Sequence, residues 1–171
     1  MAGEPRREER TGTPTTGLTE KGQALQGLLQ QVLTDFQPET SNTMDIPQIS
    51  VKPSQIAQIC HILKEDPRLS FKLLLCLAAV DYKEHLQVVY LLLSQEHEHK
   101  LLIKVDLPYD NPSIPTVSSV WRAASWYERE AHDLFGVVFE GHPNLAPLIL
   151  YDGFEGYPGR KEFPFHEYKE Y

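Results

Sequence analysis

The sequence predicts an α+β fold: a single domain in which a small mixed or antiparallel sheet is packed by helices. Helical spacing of apolar residues comes first, and strand-like patterns follow at residues 86–107. The 171 residues, 41% of them hydrophobic, are enough for one modest core. We divide the chain into a flexible leader (1–17), an amphipathic helix with its linker (18–44), a core domain (45–150) and an extended aromatic tail (151–171).

Composition narrows the classes of function. The formal net charge of −8 disfavours nucleic acid or anionic lipid as a partner, since both select a basic surface. Cys60 and Cys76 each lie in an apolar run, and we expect buried, reduced thiols. Two thiols do not supply the four thiolates that an iron–sulfur cluster usually needs. No apolar run approaches the ~18–20 residues that span a bilayer, so we expect a soluble chain without direct membrane insertion.

The N-terminal region divides into a leader, a helix and a linker. Residues 1–17 hold Pro, Thr, Gly and charged residues, a composition that cannot bury enough surface to become ordered. The spacing of apolar residues predicts a helix over residues 20–36, which Pro38 ends. We expect residues 37–45 to form a polar linker.

The middle of the chain carries the predicted sheet. Residues 46–51 have a short strand pattern, in which Pro47 favours an edge position or a strand start. Residues 86–93 are almost continuously apolar, as in a central strand covered on both faces. Residues 101–107 alternate cleanly, and the connecting segment contains no glycine. We therefore expect a hairpin with a loop longer than a two-residue turn.

Two further apolar segments precede this hairpin. Pro53 suits the first position of a helix that ends before Pro67. The apolar residues of this helix share one face: Ile56, Ile59, Cys60 and Leu63. Residues 71–80 form a second apolar block, for which periodicity leaves both a helix and a buried strand open.

Charged, aromatic and turn residues are densest at 125–142. Ser125 followed by Glu128 has the spacing of a capping box, and Gly136 suits the end of the helix that would begin there. One side of this helix is predicted to face the core: Tyr127, Ala131, Leu134 and Phe135. The opposite side would be polar, with ion pairs at helical spacing: Trp126, Glu128, Arg129, Glu130, His132 and Asp133.

Several functions are open for this polar face. It is either a solvated surface with ordinary ion pairs or an interface, for which Trp and Arg are typical. A metal site or acid–base pair built on Glu128, His132 and His142 is a further alternative, although no HExxH motif and no second ligand-spaced carboxylate is present. Another histidine cluster, residues 97–99 with His85, lies in the predicted hairpin loop and is interpreted as solvated charge.

The tail is aromatic and irregular. Its aromatic residues are interleaved with Gly and Pro, at neither helical nor strand spacing: Tyr151, Phe154, Tyr157, Phe163, Phe165, Tyr168 and Tyr171. Such a segment cannot form its own core, so it packs either on its own domain or on a partner. Aromatic residues beside Arg160 and Lys161 suit a protein interface.

Residues 128–136, Glu-Arg-Glu-Ala-His-Asp-Leu-Phe-Gly, resemble the signature of a known family. It is the C subunit of NADH-quinone oxidoreductase (respiratory complex I), whose counterpart in photosynthetic organisms is the J subunit. The Gly-His-Pro at 141–143 and the segment 156–164 resemble further motifs of that family, as does the approach at 110–117. The chain departs from the family at Ala146-Pro147, where a basic pair is usual, and at 151–154.

The resemblance implies a peripheral-arm subunit that carries no active site, cofactor or metal of its own. Its partners would be the iron–sulfur and quinone-pocket subunits of a complex that uses NAD(H) or another donor and translocates protons. This implies a peripheral position on the cytoplasmic side of the inner (plasma) membrane. The same module recurs in membrane hydrogenase-type and ferredoxin-fed complexes, which remain an alternative. The predicted subunit interface comprises Trp126, Glu128, Arg129, Glu130, His132, Asp133, His142, Arg160, Lys161 and Phe163.

Overall fold

A computed structural model describes residues 17–164, and these confirm the α+β class. Residues 1–16 of the leader predicted at 1–17 and the tail aromatics Phe165, Tyr168 and Tyr171 lie outside the described residues. The helices and strands, in chain order, are α1 (Glu20–Val32), β1 (Glu39–Thr43), β2 (Ile46–Ser50), α2 (Ile56–Glu65), β3 (Leu73–Asp81), β4 (His85–Ser94), β5 (His99–Pro108), β6 (Ser113–Pro115), α3 (Ala124–Phe135) and β7 (Val138–Glu140).

The main sheet is mixed, as predicted. Its five strands follow the order β1-β2-β5-β4-β3, in which only β2 and β5 run parallel. The β4–β5 hairpin pairs residue for residue from His85 with Pro108 to Ser94 with His99, so its loop spans residues 95–98 and is longer than a tight turn. Strands β6 and β7 form a separate two-stranded parallel sheet. In the chain, β6 precedes α3 and β7 follows it.

The hydrophobic core lies on one face of the main sheet. Every second residue of β4 is buried, from Leu86 to Ser94, and β5 contributes its own alternate residues, from Leu101 to Leu107. The helices α1 and α2 bury the apolar faces that their spacing predicts, and α1 packs against β2 and β5. The other face of β4 is only half-buried, so the prediction of a strand covered on both faces is wrong.

The linker predicted at residues 37–45 is wrong, because β1 occupies most of it. The helix α1 ends at Val32 rather than Phe36, and a short 3₁₀ turn leads to Gln37, whose φ of 46° reverses the chain. Strand β1, Glu-Thr-Ser-Asn-Thr, pairs antiparallel with β2 but lies at the sheet edge, mostly exposed. Its polar residues leave no hydrophobic alternation to detect, while charged and polar edges protect a sheet from further pairing.

The segment left open at residues 71–80 is a strand. Strand β3 forms the other edge of the sheet, with an irregularity in its pairing between Leu74 and Cys76. Cys76 points away from the core and is exposed, whereas Cys60 of α2 is buried. Burial was therefore predicted correctly for one thiol and wrongly for the other, since an edge strand with one open face exposes half of an apolar run.

Candidate functional site

The helix α3 is positioned by the turn that precedes it. Trp121 is buried and donates its indole Nε1–H to the carbonyl oxygen of Phe71, 3.1 Å away, which joins this turn to the segment before β3. The helix begins at Ala124, with Ala123 as a cap that makes no side-chain hydrogen bond. The predicted capping box is therefore wrong, because the helix starts before Ser125. Gly136 ends the helix with a φ of 75°, as predicted.

Glu128 points into the protein rather than to solvent. Its side chain is fully buried, and it accepts hydrogen bonds from the Val117 N–H at 2.8 Å and the Thr116 hydroxyl at 2.5 Å. The core-facing stripe of α3 thus runs through Ala124, Glu128 and Ala131. Burial raises the pKa of Glu128, and the hydrogen bonds from Thr116 and Val117 oppose this rise.

His142 lies next to Glu128, with 3.9 Å between its Nε2 and the Glu128 Oε2 atom. The Asn144 N–H donates to His142 Nδ1 at 3.1 Å, so Nδ1 is unprotonated and the ring hydrogen lies on Nε2. That Nε2 contacts the Ser125 hydroxyl and carbonyl oxygens. Burial lowers the pKa of His142, which favours the same neutral ring. The buried carboxyl of Glu128 therefore has no cation beside it among the described residues.

Two buried groups that the sequence did not single out as site residues complete this polar cluster. The Tyr90 hydroxyl of β4 is buried and has no hydrogen-bond partner among residues 17–164. Burial raises its pKa, and the charges of Cys60 and Glu128 add to the shift. Burial, followed by the charge of Glu128, likewise raises the pKa of the Cys60 thiol. Neither residue had a sequence signal, since each occupies an ordinary core position of its element.

Arg129 and Asp133 bind the backbone of the segment that follows β7. The guanidinium of Arg129 donates to the carbonyl oxygens of Ala146 at 2.9 Å and Pro147 at 2.7 Å. The Oδ2 atom of Asp133 accepts three successive backbone N–H groups, from residues 148, 149 and 150, at 3.1, 2.8 and 2.9 Å. Burial alone would raise the pKa of Asp133, but these three donors lower it. The predicted pairing of Arg129 with Asp133 on a solvent-facing side is wrong, because Asp133 is buried.

The remaining polar residues of α3 differ in exposure. Trp126 is 61% exposed and its ring carries the Arg129 guanidinium, 5.3 Å from the ring centroid. Glu130 is exposed and lines an apolar groove of about 220 Å³ between α3 and β3, together with Cys76 and Tyr127. His132 is half-buried and contacts the Val137 carbonyl oxygen through Nδ1 at 2.9 Å. Fewer of the polar side chains of α3 are therefore exposed than the sequence predicted.

The predicted tail residues fold back onto the domain. Arg160 donates from Nε to the Phe135 carbonyl oxygen at 2.8 Å and lies between the rings of Tyr109 and Tyr157, at 4.8 and 5.0 Å. The side chain of Phe163 is half-buried and stacks on Phe154, with ring centroids 5.9 Å apart. The described part of the tail therefore packs on its own domain while leaving aromatic side chains exposed.

Lys161 is held through its backbone by a residue that the sequence reasoning missed. Its N–H donates to the Oδ2 atom of Asp81 at 2.7 Å, and the same carboxylate accepts the Lys83 N–H at 2.5 Å. Asp81 is buried at the end of β3. Burial would raise its pKa, yet the backbone donors and the Tyr109 hydroxyl lower it. The available signal was an aspartate directly after an apolar strand and before a turn.

The side-chain positions do not support the alternative of a metal site or an acid–base pair. Glu128 and His142 are adjacent but their side chains are fully buried, and His132 is bound to Val137 instead. Among residues 17–164, no group of three or more His, Cys, Asp or Glu side chains is arranged to hold a metal ion. Within the same residues, none of the helices is long and apolar enough to cross a membrane.

The matching family model and the similar curated proteins indicate the same family. The family model described as the 30 kDa subunit of respiratory-chain NADH dehydrogenase matches residues 49–169. The C 2 subunit of NADH-quinone oxidoreductase from Rhizobium meliloti is 44% identical over 124 residues, which cover 71% of this chain and 68% of that protein. The C subunit of the same enzyme from a Methylobacterium strain is 37% identical over 151 residues, or 86% and 70% of the two chains.

Two solved structures share the fold. One is a chain of the membrane-bound sulfane sulfur reductase, an archaeal respiratory membrane complex, with a TM-score of 0.70 and 32% identity over 82% of this chain and 86% of that chain. The other is a trypsin-resistant fragment (1–134) of Nqo5, with a TM-score of 0.58 and 25% identity over 70% of this chain and 98% of that chain.

Proposed function

Because the chain belongs to the family of the 30 kDa subunit of respiratory-chain NADH dehydrogenase, we propose that it is a non-catalytic peripheral-arm subunit of a proton-translocating NADH-quinone oxidoreductase. Its relatives are subunits of an enzyme complex, so other subunits of such a complex are its expected partners. We place it on the cytoplasmic side of the membrane. There it supports electron transfer through neighbouring iron–sulfur subunits to a quinone, while the NAD(H), clusters and quinone are held by those neighbours.

The observation that carries this proposal is how the charged residues of α3 are used. Glu128, Arg129 and Asp133 all bind backbone groups of this same chain. A catalytic carboxylate needs a solvent-reachable pocket beside it, whereas these side chains fix irregular segments in place. The arrangement suits a subunit whose contribution is a rigid surface.

The exposed and half-buried members of the predicted interface remain our candidates for contact with other subunits. They are the exposed Trp126, Glu130 and Lys161 and the half-buried His132, Arg160 and Phe163. Glu128, Arg129, Asp133 and His142 act from within the chain. Large aromatic side chains and arginine, partly exposed, are the residues that most often dominate the energy of a protein interface.

A second candidate is the equivalent subunit of a related complex with a different electron donor. The observation in its favour is the likeness to a chain of the sulfane sulfur reductase complex, which covers more of this chain than the Nqo5 fragment does. Both candidates share the structural role and differ in the enzyme that surrounds it.

The test is to purify the complex from membranes of the source organism through an affinity tag on this chain. We expect iron–sulfur and quinone-pocket subunits to co-purify, with NADH-dependent quinone reduction in the same fraction. A complex of the same kind that reduces quinone only from another donor, or that does not reduce quinone, would favour the second candidate. A monomer with no membrane-bound partners would overturn both, and tight stoichiometric zinc or iron in that monomer would restore the enzyme alternative.

A further inference from the structure

The segment from residue 146 to residue 161, here the C-terminal loop, contains no helix or strand yet is held at both ends. It carries exposed apolar side chains: Ile149 is 57% exposed, Tyr151 72% and Tyr157 40%. Trp126 of α3, 61% exposed, lies next to its beginning because Arg129 contacts both the Trp126 ring and the Pro147 carbonyl oxygen. Side chains of these types, exposed close together, are typical of a docking surface.

The beginning of the C-terminal loop is fixed by two side chains with complementary chemistry. Arg129 supplies donors to two carbonyl oxygens, at residues 146 and 147, and Asp133 supplies one acceptor to the next three N–H groups. Together they satisfy five successive residues of a backbone that has no strand or helix to pair with. Arg129 and Asp133 lie one helical turn apart, so a single face of α3 binds the backbone groups of all five residues.

The end of the C-terminal loop is fixed to the same helix and to β3. The Gly159 N–H donates to the Leu134 carbonyl oxygen at 2.8 Å, and Arg160 donates to the carbonyl oxygen of Phe135 at 2.8 Å. A Cβ atom at Gly159 would lie 2.8 Å from the Phe135 ring, so the loop approaches the helix too closely for any larger residue. Between the two attachments, Phe154 packs edge-on against Tyr151, with ring centroids 5.4 Å apart.

We propose that Arg129 and Asp133 are positioning residues for subunit assembly, which act through the C-terminal loop and not by touching a neighbour. They order the loop in the free chain, so that Ile149, Tyr151 and Trp126 meet an adjacent protein subunit already in their bound arrangement. Ordering a backbone has an entropic cost for every residue, and a loop ordered in advance avoids that cost at the moment of binding. The proposal rests on the proposed function, since it assumes a neighbouring subunit.

The expected loss of binding affinity follows from the fraction of molecules with an ordered loop. Apparent affinity falls in proportion to the binding-competent fraction, so a variant whose loop is ordered in about one molecule in ten binds about tenfold more weakly. Replacing Asp133 removes the acceptor of three N–H groups and should have the larger effect. Replacing Arg129 removes donors to two carbonyl oxygens, which water can replace because these contacts are exposed.

The experiment uses the full-length chain in two measurements. Hydrogen exchange of the free chain reports the order of the C-terminal loop, and titration onto membranes from a strain that lacks this subunit reports the apparent Kd. The variants are Asp133→Ala and Arg129→Ala, with the exposed Asp35→Ala and Arg122→Ala as matched controls. In Asp133→Ala, sodium formate offers a carboxylate to the vacated N–H groups, and sodium chloride at equal ionic strength is its control.

We expect Asp133→Ala to lose exchange protection at residues 148–150, to bind about tenfold more weakly, and to regain both with formate. Normal loop protection with weakened binding would show that Asp133 touches the partner, and lost protection with normal binding would show that loop order is irrelevant; either overturns the inference. If Asp133→Ala does not fold, Arg129→Ala carries the same two comparisons. Failure of the wild-type chain itself to bind would instead overturn the proposed function.

Discussion

The sharpest prediction concerns Glu128, because it is a fully buried carboxyl group without a cation beside it in the described residues. In Glu128→Ala, the buried Val117 N–H loses its acceptor, whereas the Thr116 hydroxyl keeps Ser118 Oγ at 2.8 Å. A stranded buried donor costs about 1–3 kcal/mol, and the cavity left by the shortened side chain adds to this cost. We expect unfolding to become easier by about 2–5 kcal/mol, a large share of the ~5–15 kcal/mol typical of a domain.

Glu128→Gln separates the hydrogen bonds from the charge. The amide oxygen still accepts from Val117, and the amide N–H₂ donates to the Thr116 oxygen, so both contacts survive. We expect the free energy of unfolding of this variant to stay within about 1 kcal/mol of wild type at neutral pH, or to exceed it. Denaturant unfolding of the full-length chain, followed by circular dichroism, measures both variants, and Glu130→Ala on the exposed side of α3 is the control.

The pH dependence of folding stability follows from the direction in which the pKa of Glu128 is shifted. The pKa of Glu128 is raised in the folded state, so the folded protein binds this proton more tightly than the unfolded chain does. Stability is therefore lost as pH rises from the unfolded value, about 4.3, through the raised pKa, and Glu128→Gln lacks this loss. The groups facing Glu128 are His142, whose pKa is lowered, and Cys60 and Tyr90, whose pKa values are raised. Because the raised pKa values of Cys60 and Tyr90 keep both groups protonated where the carboxyl titrates, and both proteins retain His142, the difference between wild type and Glu128→Gln isolates the carboxyl.

Two results would refute this reasoning. Should Glu128→Gln prove as destabilising as Glu128→Ala, the negative charge itself is needed and His142 must be its protonated partner. Should Glu128→Ala be no worse than Glu130→Ala, the carboxyl is not buried as described.

Three further predictions follow from single contacts. Gly136→Ala should lower stability by at least about 1 kcal/mol in thermal unfolding, because φ is 75° there and an added Cβ would lie 2.6 Å from the Tyr157 ring; an unchanged midpoint would contradict the close approach. A thiol reagent followed by intact mass should label the native chain once, at the exposed Cys76, since Cys60 is buried; rapid double labelling would contradict this. Tyr90→Phe should be neutral or stabilising by about 1 kcal/mol, because the buried hydroxyl has no partner among residues 17–164, and a clear loss of stability would reveal a hydrogen bond there.

The sequence was informative where burial follows a simple period. Strand β5 was predicted because its apolar residues alternate, and the same alternate positions are buried. Strand β4 was predicted from a nearly continuous apolar run, of which only every second residue is buried. Strand β1 was missed for the opposite reason: an exposed edge strand of Glu, Thr, Ser and Asn is fixed by its pairing with β2 and by the turn at Met44, not by its own apolar residues.

The sequence predicted which segment forms the candidate site, but not where its side chains point or what they bind. The helix and its end at Gly136 could be read from local spacing. The side on which Glu128 lies could not, because a carboxylate at a core-facing position breaks the hydrophobic stripe that sequence reasoning follows. Its partners, Thr116 and Val117, are in an irregular segment, and the carbonyl and N–H groups that Arg129 and Asp133 bind carry no side-chain signal at all.

The charge density of α3 follows from the structure around it. Irregular backbone next to a core has N–H and C=O groups that no helix or strand pairs, and leaving such groups unpaired is costly. Two irregular segments meet α3, one on each side: Glu128 satisfies the segment at residues 116–117, and Arg129 with Asp133 satisfies residues 146–150. Anions are placed where N–H groups converge and a guanidinium where carbonyl oxygens converge, as the donor and acceptor chemistry requires. A helix in this position needs charged residues even where it performs no reaction, so the concentration of charge at residues 128–133 indicates how much irregular backbone this helix supports.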